Sequence, residues 1–168
     1  MTKTEENVSY TKLKDSMVKA IENNPADFEA YNDLFALCRE CENEQFDTAH
    51  AWTHELRNTV VSGLLKAVRQ GDLNTAEKFN DLLFRYLIFG APHFFDDYLQ
   101  AVEFGKPLDK EFYKPRRHYL KRYVDAYQEV LDGKLDFLSI SMPKRCGKSQ
   151  LGINFTNMLS GKYPDKST

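Results

Sequence analysis

No run of apolar residues in this sequence approaches the roughly eighteen that a membrane-spanning helix needs, so a helical bilayer protein is excluded. The opening stretch, MTKTEENVSY, is polar and acidic and lacks the apolar core of a secretion signal. Cysteine is scarce and odd in number, at 3, which argues against a disulfide framework and for a reducing compartment. Histidine is scarce too, at 4, and leaves little from which to build a Ser/His/Asp arrangement. Together these absences lead us to expect a soluble protein of the cytoplasm, with no membrane partner.

What is present is an ordinary globular balance, 42% hydrophobic and 29% charged over 168 residues. That length suits one domain, or a domain and part of a second. The net charge of −2 conceals an asymmetry. Residues 1–60 hold 6 Lys/Arg against 12 Asp/Glu, whereas residues 61–168 hold 17 against 13. The basic excess is densest from Lys106 to Arg122, where Lys106, Lys110, Lys114, Arg116, Arg117, Lys121 and Arg122 face only Asp109 and Glu111. Such a cluster suits the phosphates of a nucleotide or of DNA, or else a solvated helix start.

Up to about residue 104 the apolar residues recur at helical spacing. Leu13, Met17, Val18 and Ile21 make a first stripe, ended by ENNP. Pro25 is expected in the first turn of a second helix carrying Phe28, Tyr31, Leu34, Phe35 and Cys38. A long third helix is expected from about Phe46 to Val68, through Trp52, Leu56, Val60, Leu64 and Leu65, with Gly71 at its end. Asp72 or Asn74 can cap a fourth, with Ala76, Phe79, Leu82, Leu83, Tyr86 and Leu87. A fifth runs from Phe94 to Phe104 and stops at Gly105 and Pro107. Short turns between these pairs predict an antiparallel helical bundle, or a short helical-repeat array, over residues 1–105. GDLNTAEKF has a tetratricopeptide flavour, but no fixed period carries the repeat.

The pattern changes in the second region, residues 106–168. RRHYLKRYVDAYQEVLDGK predicts a helix with Gly133 at its end. LDFLSISM then reads as a strand, with Leu138 and Ile140 on one face and Phe137 on the other. PKRCGK is a loop, and SQLGINFTNMLSG a helix ended by Gly161. The fold class expected is therefore mostly α: a helical bundle followed by the helix–strand–loop–helix start of an α/β P-loop domain, incomplete over these residues.

A phosphate-binding loop needs backbone N–H groups converging on a phosphate, a lysine for the β/γ oxygens and a hydroxyl for Mg²⁺. Gly147 permits close backbone approach, Lys148 supplies the ammonium, and Ser149 opens the helix and offers the hydroxyl. Arg145 sets a second cation beside the triphosphate, and Cys146 reads as a small tolerated residue. Met142 stands where the usual pattern has its first glycine, and Pro143 follows, so the entrance must turn differently.

MPKRCGKS, with LSIS and KPRRHYLKRYVDAYQEVLDGK before it, resembles the start of the ATPase domain of phage terminase large subunits, the motors of viral DNA packaging. The likeness covers roughly residues 112–168. Pro143, Arg145, Gly147, Lys148 and Ser149 match that family's Pro–x–Arg–x–Gly–Lys–Ser/Thr loop, within which Lys144 and Cys146 fill the remaining places. The resemblance implies ATP and Mg²⁺ as ligands, with Lys148 and Arg145 acting on the γ-phosphate and Ser149 on the metal. It also implies an adenine contact near Arg117 or His118. Double-stranded DNA, a portal protein and a small terminase subunit are the partners implied, in the cytoplasm of a host cell, with self-association a further possibility. The closing GKYPDKST resembles the family's turn into the next strand. Asp165 is the sole acid after Ser149, so the acidic pair that holds Mg²⁺ and positions water is missing. We expect the N-terminal part of a packaging motor that does not hydrolyse ATP by itself; the alternative is a helical interaction module or a prophage remnant.

One other constellation has acceptable ligand spacing, Cys38, Cys41, His50 and His54 as a zinc site. The eight residues between its two pairs are short against the twelve or so of a zinc finger. Cys38 and Cys41 also sit in a helical stripe with Leu34, where small buried residues are expected. Asp96 and Asp97 read as helix-surface acids beside aromatics, and Tyr113, Tyr119 and Tyr123 as packing residues.

Overall fold

A computed structural model describes residues 3–44 and 48–163, the side chains from residue 8 onward. The expected start of the third helix at Phe46, and Pro164–Thr168 with Asp165, lie outside the described residues. The described chain is mostly α-helical and divides after Phe89 into two compact units.

The first unit is built from α1 (Lys3–Asn23), α2 (Phe28–Asn43), α3 (Ala49–Arg69) and α4 (Leu73–Gly90). Local chemistry sets the helix ends. Pro25 stands in the turn ahead of α2 rather than in its first turn, because Asp27 takes the capping place and accepts the Ala30 N–H at 3.4 Å. Gly71, at φ +73°, closes α3 in the left-handed form. Its N–H reaches the Val68 carbonyl and the Asp72 N–H the Ala67 carbonyl, both at 3.1 Å, the paired bonds of a Schellman end. Asp72 then caps α4 by accepting the Thr75 N–H at 3.0 Å, and that bond holds its carboxyl below the usual range.

The core of this unit gathers Ile21, Tyr31, Leu34, Phe35, Trp52, Val60, Phe79 and Tyr86. Phe79 meets Phe28 and Tyr31 edge-on, at 5.3 and 4.8 Å between centroids. It also fills the space that a side chain at Gly63 would need, since a Cβ there would lie 2.6 Å from the ring. Two residues of the expected stripes stand at the edge. Leu13 and Leu65 are each 49% exposed. In α1 the face in use includes Tyr10, Lys14, Met17 and Ile21, with the Lys14 ammonium 4.9 Å from the Trp52 ring.

The second unit holds α5 (Phe95–Glu103), 3-10 turns at Leu108–Lys110 and Lys114–Arg116, α6 (Arg117–Leu131) and α7 (Lys148–Lys162). The division falls before residue 105 because α5 is an integral part of this core. Phe95 packs against Tyr127 and Phe155, at 5.5 and 5.2 Å. The Gln128 side chain accepts the Phe95 N–H at 2.8 Å and donates to the His93 carbonyl at 2.9 Å. Leu99, Tyr113, Leu120, Val124, Leu151 and Met158 complete the cluster.

Two expectations are corrected here. LDFLSISM forms no strand, and no strand occurs among the described residues. A ladder needs N–H and C=O partners on a neighbouring segment, and none of these residues supplies one. The side-chain alternation nevertheless persists: Leu138, Ile140 and Met142 are half-buried, whereas Phe137, Ser139 and Ser141 are exposed. The last helix also does not end at Gly161 but continues to Lys162. Gly161 does not take the left-handed form that closes α3 at Gly71, so no glycine stop forms there.

Candidate functional site

The loop between the alternating segment and α7 makes two left-handed turns, at Arg145 (φ +65°) and Gly147 (φ +95°). The first costs about 1 kcal/mol or more for a residue with a side chain. Glycine meets the second without that cost. Residues of alternating hand next to one another turn successive N–H groups toward a common point, a geometry suited to anions. Gly147 is also the N-cap of α7, and no side-chain hydrogen bond caps that end. The first-turn N–H groups of a 15-residue helix, with their partial positive charge, therefore face the loop's concavity.

Around this end lies a cavity of about 620 Å³. It is lined by the loop from Met142 to Arg145, by Gly147 to Gln150, and by Phe112 and Arg116. Its charged lining is cationic throughout: Arg116, Lys144, Arg145 and Lys148, with no carboxylate. The volume is in the range of ligand pockets. Of the loop residues nominated from sequence, Pro143, Lys144, Arg145, Gly147, Lys148 and Ser149 are brought together here. Cys146 is half-buried and does not line the cavity.

Phe112 fixes one part of the lining. Its ring lies where a Cβ on Gly147 would be, 2.4 Å from that position, so the missing side chain serves packing as well as backbone conformation. Behind Phe112 stands Glu103, 4% exposed, whose carboxylate takes three successive backbone N–H groups. Phe112 and Tyr113 donate to Oε1 at 2.9 and 2.7 Å, and Lys114 donates to Oε2 at 3.0 Å. This buried acid holds the turn that carries Phe112, and so supports that part of the lining.

The residues nominated for adenine contact are placed differently. Arg117 forms a two-pronged pair with Asp96, Nε to Oδ1 and Nη2 to Oδ2, both at 2.9 Å. Tyr113 donates its hydroxyl to the same carboxylate. Burial pushes the Tyr113 hydroxyl pKa up, reinforced by the Asp96 charge, while the Asp96 hydrogen bonds raise that of Arg117. Asp96 is therefore a buried structural anchor, 4% exposed, rather than a helix-surface acid. Asp97 is buried as well. His118 is exposed, edge-on to Tyr119 at 5.0 Å. Neither Arg117 nor His118 lines the cavity. Phe112, Arg116, Met142 and Gln150 do, and sequence reasoning had not nominated them for the site. The only signal was the basic run, which contains Arg116 among six other cations.

Cys38 and Cys41 are fully buried in the first unit's core. Among the described residues, their thiols do not converge with His50 and His54 into a metal-ligand group. Burial pushes the Cys38 thiol up to about 12 and the Cys41 thiol up to about 11, so both remain protonated at neutral pH. No family model, no curated protein and no solved structure matches this chain.

Proposed function

We propose that the second unit binds the phosphates of ATP, and that the chain is the N-terminal part of a phage terminase large subunit. The observation that carries the phosphate reading is the cavity at the start of α7, whose charged lining residues are all cations, with Gly147 left-handed in its lining. Residues present fit the group. Lys148 and Arg145 would take the phosphate oxygens as charge-assisted donors, backbone N–H groups at the start of α7 would add directed dipoles, and Ser149 would offer its hydroxyl to Mg²⁺. These are positioning and electrostatic contributions, the kind phosphoryl transfer depends on. No carboxylate lines the cavity to hold metal or orient water, so binding rather than turnover is the activity expected of these residues. In the packaging reading, which rests on the sequence resemblance, nucleotide turnover by a complete motor drives double-stranded DNA, with portal and small terminase subunit as partners.

Calorimetric titration of the chain with Mg-ATP tests the phosphate reading. Saturable binding that Lys148→Ala weakens by about tenfold or more supports it, since the variant removes a charge-assisted phosphate contact. Binding that is absent, or indifferent to Lys148, refutes it. Lys148-dependent hydrolysis by this chain would refute the expectation of binding without turnover.

A further inference from the structure

We infer that Arg116 is a phosphate-binding residue of this cavity, reading the polyphosphate rather than the base; this rests on the nucleotide reading above. The argument begins with the basic run. Lys114 is committed to Glu111 at 3.0 Å and to the Glu103 carbonyl at 3.3 Å. Arg117 is committed to Asp96. Lys121 pairs with Asp125, and Arg122 lies against Tyr123, 4.6 Å from its ring. Arg116 differs from these four in lining the cavity.

Its placement is held through Phe112. Nη1 donates to the Phe112 carbonyl at 3.0 Å, and the guanidinium lies 5.7 Å from the centre of the Phe112 ring. That ring is the one packed on Gly147, immediately before Lys148. Arg116 is thus tied to the loop's glycine through one side chain, and shares the cavity lining with Arg145 and Lys148. A guanidinium presents five donors, and one bond to Phe112 leaves a planar edge able to meet a phosphate with two parallel N–H groups. Sequence places this arginine beside the nominated Arg117. The fold reverses their roles: Asp96 takes Arg117, and the 3-10 turn at Lys114–Arg116 delivers its neighbour to the cavity.

The test compares two titrants, Mg-ATP and Mg-tripolyphosphate, on the wild-type chain and on Arg116→Ala, Arg116→Lys and His118→Ala. A phosphate role predicts that Arg116→Ala weakens both titrants by about tenfold or more and by similar factors. Arg116→Lys should recover part of the loss, and the wild-type advantage should shrink as salt is raised. His118→Ala should bind as wild type. Melting of each variant, followed by circular dichroism, checks that exposed Arg116 is not needed for folding; should Arg116→Ala melt early, Arg116→Lys and the salt series still carry the comparison. Unchanged binding by Arg116→Ala overturns the inference, as does a loss confined to ATP, which would put Arg116 at the base. A wild-type chain that binds neither titrant removes the nucleotide reading, and this inference with it. Binding that needs Lys148 but not Arg116 removes the inference alone.

Discussion

Replacing Gly147 by alanine should damage the second unit far more than the same change five residues on, at Gly152. At Gly147 two costs combine. An L residue in the left-handed region loses about 1–2 kcal/mol. The new methyl would also sit 2.4 Å from two carbons of the Phe112 ring, a true overlap, and overpacking of this kind costs about 1–3 kcal/mol. The ring cannot retreat cheaply, because its backbone is bound to Glu103 and Arg116 leans on it. The sum, about 2–5 kcal/mol, is a large part of the roughly 4–12 kcal/mol available to a domain of under a hundred residues. At Gly152, inside α7, a Cβ meets only the Tyr127 hydroxyl, at 3.7 Å, an ordinary contact. There alanine should be neutral or gain up to about 1 kcal/mol from helix propensity. Urea denaturation followed by far-UV circular dichroism measures both, and hydrogen exchange over residues 148–162 assigns the change to α7. Gly147→Ala combined with Phe112→Ala isolates the overlap, with a coupling of about 1–3 kcal/mol expected in a double-mutant cycle. A Gly147→Ala chain as stable as wild type, or a Gly152→Ala chain that loses as much, would refute the reasoning.

Three further outcomes follow from other groups. Glu103→Gln keeps shape but puts an NH₂ where one carboxylate oxygen accepts N–H bonds; it should cost about 1–3 kcal/mol and weaken Mg-ATP binding by loosening Phe112. Unchanged stability and affinity in the same urea and titration assays would show that this acid does not support the site. The thiols give a pH dependence for the first unit. Cys38 is raised from its ordinary 9.0 to about 12 and Cys41 to about 11, so the unfolded chain releases these protons first. Stability that is fully present below about pH 9 should therefore fall as pH rises from 9 toward 11–12. Urea midpoints read from Trp52 fluorescence check this, and a midpoint rising over that range would contradict it. At neutral pH a thiol reagent should label half-buried Cys146 well before Cys38 and Cys41.

Much of this protein is legible in its sequence, because much of it is decided locally. Gly71 followed by Asp72 specifies the end of one helix and the cap of the next within a few residues. Gly133, at φ +69°, ends α6 in the same way, with its own N–H on Val130 and that of Lys134 on Glu129. Apolar spacing placed the helices, since burial of one face is a property of each segment. The loop from Pro143 to Ser149 was readable as a unit for a related reason: its residues are contiguous, and all of them but Cys146 line one cavity.

Tertiary structure decided what depends on partners distant in the chain. LDFLSISM carries strand alternation, but a strand also needs hydrogen-bonding neighbours, and none stands among the described residues. Leu13 and Leu65 fit their helical stripes, yet lie at the edge because the face in use is set by the facing helices. The division after Phe89 reflects the packing of Phe95 on Tyr127 and Phe155, which a shift in composition does not report. The part of the site outside the loop follows the same rule. Arg116 and Arg117 are adjacent and alike in sequence, and their roles part only because a buried carboxylate twenty-one residues before Arg117 takes one and leaves the other to the cavity. Short-range backbone chemistry thus fixed the elements and the loop, while long-range pairing of buried groups chose which side chains face the site.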